Sequence, residues 1–196
     1  MDQTDLKFFN EIAPKWDSME VKSYPAKINE ILDKVNIPEG GSVLDLGTGT
    51  GVLVPYLAER VGADGHVVAI DGSRGMLDQA VRKYGNIANV KFVEADFEED
   101  LIEGQFDRIM LYCVYPHLKT PHDTLKWLRK VNLKPGGKIV IAFPNDENFV
   151  NHVHGDVEAH SHLLPSARVL ADELALVGFT IDYAFSDPGR YVIILH

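Results

Sequence analysis

A chain of 196 residues with 45% hydrophobic and 24% charged side chains carries enough apolar material for one full core and too much for a disordered segment. Its formal net charge of −10 repels phosphate backbones, which argues against nucleic acid as a partner; Lys126, Arg129, Lys130 and Lys134 read as a solvated helix face rather than a basic patch. Cys113 is the single cysteine, residues 1–7 are polar, and no apolar run approaches the roughly 18 residues of a bilayer span. The expectation is a cytoplasmic protein with no intramolecular disulfide and no membrane partner.

Residues 5–16 and 24–35 carry helical patterns, and a Pro38-Glu39-Gly40-Gly41 turn follows them. Phe8, Phe9, Ile12 and Trp16 recur at helical spacing, as either a stripe packed on a sheet or a lid over a site. Strands are expected at 42–46, 66–70, 90–94, 106–111 and 138–143, separated by helices near 51–61, 73–84 and 121–131, with 97–104 a loop or short helix. Such alternation demands an α/β fold with a parallel sheet and helices on both faces, because parallel neighbours need a crossover. A helix over 165–176, ended by Gly178, precedes β-rich runs at 179–185 and 191–195. Their short Ser186-Asp187-Pro188-Gly189-Arg190 link makes a hairpin, so the last strands are antiparallel. There is no internal repeat. We expect one domain over 1–196, with 1–37 as a helical cap.

Three signals lie at successive strand ends. The first is Val43-Leu44-Asp45-Leu46-Gly47-Thr48-Gly49-Thr50-Gly51, an apolar strand followed by glycines at alternate positions. Glycine lets the chain turn sharply and lets backbone amides approach a ligand at the carboxyl end of the strand. The spacing departs from G-x-G-x-x-G, since Val52 stands where the third glycine belongs, which disfavours a nicotinamide oxidoreductase. No Gly-Lys-Ser/Thr follows, which excludes a P-loop, and Asp45 would repel a pyrophosphate but welcome a cation. The second signal is Asp71, closing Val67-Val68-Ala69-Ile70, where a carboxylate can accept from both ribose hydroxyls. The third is Asp96-Phe97 after Phe92-Val93-Glu94-Ala95, placed to accept from an exocyclic adenine amino group and donate to a ring nitrogen.

With Phe9-Asn10-Glu11-Ile12-Ala13-Pro14-Lys15-Trp16-Asp17, Phe106-Asp107-Arg108-Ile109 and Leu133-Lys134-Pro135-Gly136-Gly137-Lys138, these segments resemble class I S-adenosylmethionine-dependent methyltransferases. The similarity is to the small-molecule branch that includes the ubiquinone/menaquinone-type enzymes. It implies a Rossmann-like, mainly parallel seven-stranded sheet of order 3-2-1-4-5-7-6 with strand 7 antiparallel. It implies S-adenosylmethionine as cofactor, with Gly47, Thr48, Gly49 and Gly51 along its methionine portion and Asp45 near its amino group. Asp71 would hold the ribose with Gly72 beside it, Met76 would pack on the adenine, and Asp96 with Phe97 would read its edge. Tyr112 would border the methionine end.

On the acceptor side, His117 in Tyr112-Cys113-Val114-Tyr115-Pro116-His117 is the candidate general base. Cys113 reads as inert packing rather than a nucleophile. The Asn/Asp-Pro-Pro-Tyr segment of enzymes that methylate base nitrogens is missing, which with the acidic charge favours a small-molecule acceptor over nucleic acid. Residues 144–164 form an expected acceptor-side lid rich in histidine. Within it, His152, His154, His160 and His162 pair as His-x-His, placing imidazoles on one side of an extended segment in a spacing suited to zinc or another transition metal. A metal site and an ordinary polar lid both remain open. The function expected is methyl transfer to a small acceptor, by a monomer or homodimer; the alternative is an accessory or sensor protein that binds adenosylmethionine or metal without transfer.

Overall fold

The computed structural model describes residues 3–19, 24–155 and 162–196. Seven strands, β1 (Ser42–Leu46), β2 (His66–Asp71), β3 (Val90–Glu94), β4 (Phe106–Tyr112), β5 (Leu133–Phe143), β6 (Ile181–Asp187) and β7 (Arg190–Leu195), form one sheet. Their order is β3-β2-β1-β4-β5-β7-β6, and β7 runs antiparallel to both neighbours while the other pairs are parallel. The expected α/β topology is the observed one. Helices α1 (Gln3–Ile12), α2 (Tyr24–Val35), α3 (Val54–Val61), α4 (Arg74–Tyr84), α5 (Pro121–Val131), α6 (Glu147–Gly155) and α7 (Ala167–Leu176) surround the sheet.

The period-2 alternation of strand side chains divides the core into two layers. Leu44, Leu46, Ile109, Leu111, Ile139, Ile141, Ile193 and Leu195 pack with Leu125 and Leu128 of α5 and Leu170 and Leu174 of α7. The intervening residues Val43, Val67, Met110, Val140, Val192 and Ile194 pack with Ile28, Ile31 and Leu32 of α2 and Leu57 and Val61 of α3. Each such side chain contributes about 1.5–3 kcal/mol by leaving water. That stability holds the carboxyl ends of β1, β2 and β4 side by side, which is what builds a site.

Several elements differ from the sequence reading. The first helix stops at Ile12 because Pro14 disfavours helical backbone at Ala13, and a 3-10 segment Ala13–Met19 continues the chain. Strand β5 starts at Leu133, five residues early: Phe106 pairs with Leu133 and Arg108 with Lys138, so the Pro135-Gly136-Gly137 stretch bulges within the strand. There Lys134 Nζ donates to Asp107 Oδ2 (2.8 Å), which also accepts from the Ser42 backbone N–H (2.8 Å) and hydroxyl (2.9 Å). Burial pushes the Asp107 carboxyl up, but these donors outweigh it and hold the group down at about 2. The Leu-Lys-Pro-Gly-Gly and Phe-Asp-Arg-Ile segments thus tie β1, β4 and β5 at the end of the sheet away from the glycine loop, and their role is structural.

Between β5 and α7 the structure places α6 where a loop was expected. Asp146 caps it, accepting from the Phe149 N–H (2.9 Å). Among the described residues no helix is long and apolar enough to cross a membrane.

Candidate active site

The carboxyl ends of β1 and β2 lie side by side, with Leu46 paired to Ile70. The chain leaves β1 through Gly47, whose φ is +65°, and the next amide, Thr48 N–H, donates back to the Ile70 carbonyl (2.8 Å). The Thr48 hydroxyl donates to Asp45 Oδ2 (2.6 Å). Asp71, the last residue of β2, uses both oxygens: Oδ2 accepts from the Gly49 N–H (2.7 Å) and Oδ1 from the Ser73 N–H (2.7 Å). The second carboxylate therefore braces the loop that leaves the first.

Both acids are almost wholly buried. Burial pushes Asp45 up to about 7; the Thr48 hydroxyl opposes this and the nearby Asp71 charge reinforces it. Burial likewise raises Asp71 to about 6 against the pull of its two backbone donors. Two carboxylates that share a buried wall, with no cationic neighbour among the described residues to offset them, form a place for a positively charged ligand.

That wall belongs to a cavity of about 480 Å³. Of the residues expected to hold the cofactor, Asp45, Gly47, Thr48, Gly49, Asp71, Met76, Phe97 and Tyr112 line it, and so does His117. Gly51, Gly72 and Asp96 do not. Gly51 faces α4 instead: a Cβ there would meet Tyr84 Cδ2 at 2.9 Å and the Ala80 Cβ at 3.1 Å, so its smallness serves helix packing. Asp96 Oδ1 accepts from the Glu98 N–H (3.1 Å) and closes a turn beside the cavity.

The aromatic stripe of the N-terminus faces the cavity. Phe8, Phe9, Ile12 and Trp16 line the cavity, and the Phe9 ring meets Trp16 and His117 edge-on at 5.8 and 5.3 Å. Two polar latches fix it. Asn10 Oδ1 accepts from the Gly75 N–H (2.7 Å) and the Ser73 hydroxyl (3.0 Å) at the start of α4. Asp17 accepts from the Thr50 hydroxyl (2.6 Å) and from Lys83 Nζ (2.8 Å), and these donors outweigh burial and hold its carboxyl below the ordinary range.

Sequence reasoning missed Tyr24 and Glu98 in the cavity wall and singled out none of Asn145, Phe149, Val150 and Val153, which fall within the expected 144–164 segment. Tyr24 and Asn145 meet across chain ends 121 residues apart (3.2 Å), which no local pattern announces. Cys113 is exposed in the wall at φ +59°, rather than packed inertly in the core.

The histidine-rich segment gives no metal centre among the described residues, where no group of three or more candidate ligands occurs. His152 lies on helical backbone, not an extended segment, and the side chain of His154 lies outside the described residues. His162 sits beside Lys119 and His122 in a separate depression, its backbone N–H donating to the Pro116 carbonyl (2.8 Å). His160 lies outside the described residues.

Comparison with known proteins agrees with this geometry. The family described as "Methyltransferase domain" matches residues 37–174. The ubiquinone/menaquinone biosynthesis C-methyltransferase UbiE of Idiomarina loihiensis is 33% identical over 143 residues, 68% of this chain and 56% of that protein. The UbiE of Vibrio parahaemolyticus is 27% identical over 210 aligned positions, 93% of this chain and 80% of that one. The chain thus spans just over half of the first relative and most of the second. The solved complex of DhpI with SAH superposes with a TM-score of 0.79 at 20% identity, covering 99% of this chain and 95% of that one, a likeness of fold. The chain belongs to the methyltransferase-domain family, and its fold is that of the adenosylmethionine-dependent enzymes it superposes on.

Proposed function

We propose that this protein transfers the methyl group of S-adenosylmethionine to a small, uncharged acceptor held under the N-terminal lid. The observation that carries the cofactor assignment is the pair of buried carboxylates, Asp45 and Asp71, at adjoining strand ends in a cavity roofed by aromatic side chains. Asp45 would face the amino group of the cofactor and Asp71 the ribose, using lone pairs left over from its two backbone donors. Met76 and Phe97 supply apolar walls for the adenine. When bound, the cofactor supplies a methyl group already activated by its sulfonium charge.

The chain then has three tasks: to align the acceptor, exclude water, and take a proton if the acceptor carries one. Phe8, Phe9, Trp16, Phe143, Phe149, Val150 and Val153 enclose the acceptor half, and among the described residues of the wall the charged ones, Asp45, Asp71 and Glu98, are acidic. An anionic acceptor is disfavoured there; a neutral apolar one fits. Residues 1–37 and 144–164 act in this reading as cap and acceptor-side lid of one catalytic unit. His117, half-buried and held against Phe9, is the proton acceptor. A metal draws no support from the described histidines and has no part in this reading.

An acceptor screen that follows S-adenosylhomocysteine formation tests the reaction, and a protein that binds the cofactor but never yields that product would refute transfer. With an acceptor in hand, His117→Ala lowers turnover at least about a hundredfold, the lower margin for loss of a general base, while S-adenosylhomocysteine affinity stays within about twofold of wild type. Unchanged turnover removes His117 from the chemistry.

A further inference from the structure

Glu98 is a cavity-wall carboxylate that the reaction outlined above does not use. It projects from a tight turn closed on both sides: Asp96 N–H donates to Asp100 Oδ2 (2.8 Å), the Asp100 N–H donates to the Asp96 carbonyl (2.7 Å), and the Glu98 N–H donates to Asp96 Oδ1 (3.1 Å). From this turn its side chain crosses to the next strand's loop. Oε1 accepts from the backbone N–H of Lys119 (2.9 Å) and of Thr120 (3.3 Å) and from the Thr124 hydroxyl (3.0 Å), while Oε2 also accepts from the Lys119 N–H (3.1 Å).

Of these donors, the Thr120 N–H belongs to the N-cap and is an amide that the helix start leaves without an intrahelical partner, while Lys119 directly precedes the helix and Thr124 donates through its hydroxyl. The residue at the N-cap of α5, Thr120, makes no side-chain cap bond of its own. Glu98 therefore caps α5 from another segment of the chain. Two residues before Lys119 stands His117, at the end of a 3-10 turn (Tyr115–His117) held by the bonds His117 N–H to Val114 carbonyl (2.9 Å) and Leu118 N–H to Tyr115 carbonyl (3.2 Å). The chain from His117 to Thr120 is thus short and pinned at its far end by one carboxylate, and that carboxylate is contiguous with Phe97, which lines the donor half of the cavity.

We propose that Glu98 is a positioning residue that couples the adenine end of the cofactor to the turn carrying His117, so that a seated donor fixes the orientation of the acceptor-side histidine. This rests on the cofactor assignment made above. The carboxylate is suited to the task because it can accept several N–H bonds at once. Glutamine keeps one accepting oxygen in the same place; alanine keeps none.

The test uses the full chain with S-adenosylhomocysteine as probe. Titration calorimetry gives its affinity, and NMR follows the His117 ring signals, identified by their absence in His117→Ala. In wild type, saturating S-adenosylhomocysteine shifts those signals. In Glu98→Ala the affinity stays within about threefold, yet the ligand-induced His117 shift falls by more than half, and Glu98→Gln restores most of it. Thr124→Val, which removes one bond to Glu98 outside the cavity wall, reduces the shift partially. A Glu98→Ala protein whose His117 signals respond as in wild type overturns the coupling, as does a Glu98→Gln protein no better than the alanine variant. Wild type that fails to bind the probe brings down the cofactor assignment and the coupling with it, and is distinguished by the calorimetry alone.

Discussion

Gly47→Ala lowers the affinity for S-adenosylhomocysteine about a hundredfold, measured by titration calorimetry. Two costs combine at this position. The backbone sits at φ +65°, where a side chain costs about 1–2 kcal/mol. An added Cβ would also lie 2.5 Å from Val114 Cγ2, and forcing a methyl into a packed wall costs about 1–3 kcal/mol. Their sum, roughly 2–5 kcal/mol, brackets the 2.7 or so that a hundredfold change requires. Relief comes either by moving Val114, and with it the turn that leads to His117, or by reshaping the loop that presents Thr48 and Gly49 to the ligand.

The neighbouring position supplies the control. Gly49 has φ +57° but nothing within 4 Å of an added Cβ, so Gly49→Ala carries the backbone cost without the collision and binds better than Gly47→Ala. Gly47→Ala with Val114→Ala should regain part of the loss, because the colliding methyl is gone. If Gly47→Ala binds within threefold of wild type, the glycine loop does not cradle the cofactor and the cavity has been misassigned.

The sheet was readable in advance because each parallel strand is a short β-branched run closed by a turn signal, and because period-2 burial on two faces leaves such runs almost wholly apolar. The hairpin was readable from Asp187-Pro188-Gly189-Arg190, where Asp187 Oδ1 does accept from the N–H groups of Gly189 (2.8 Å) and Arg190 (3.0 Å). Asp45 and Asp71 stood out because a carboxylate ending an apolar strand needs an explanation that packing does not give. Other parts of the site were hidden for physical reasons. Gly51 shares the alternate spacing of the loop, and only the tertiary approach of Ala80 and Tyr84 shows that it packs a helix. Glu98 resembles any acid in an acidic loop until the sheet brings Lys119 and Thr120 to it. Helix α6 was obscured by its histidines, which drew attention to ligand spacing and away from Asp146 as a cap. That Phe8, Phe9, Ile12 and Trp16 face the cavity depends on which end of the sheet they cover, and helical spacing alone does not carry that information.

The affinity for S-adenosylmethionine rises with pH between about 5 and 7 and then levels off. Asp45 at about 7 and Asp71 at about 6 are both raised by burial, so each holds a proton in the ligand-free fold at a pH where the unfolded chain has lost it. Between about 4 and 7 the native state binds more protons than the unfolded state, and the stability of the free protein falls as pH rises through that window. A cationic ligand prefers the ionised pair, so its binding expels protons, is weakened wherever those protons are bound, and gains as pH rises. Calorimetry at pH 6 in buffers of different ionisation enthalpy should therefore reveal proton release that vanishes at pH 8. The thermal shift produced by the ligand should grow over the same interval. Asp71→Asn sharpens the test. It turns an amide toward the Gly49 or Ser73 N–H and forfeits a buried charged acceptor, a loss of roughly 1–3 kcal/mol or ten- to hundredfold in affinity. Removing the Asp71 charge also removes one of the influences that raises Asp45, so the remaining break in the pH profile moves downward. Affinity independent of pH from 5 to 8 in wild type would mean that the ligand's positive charge does not meet these two acids, and another surface would have to receive it.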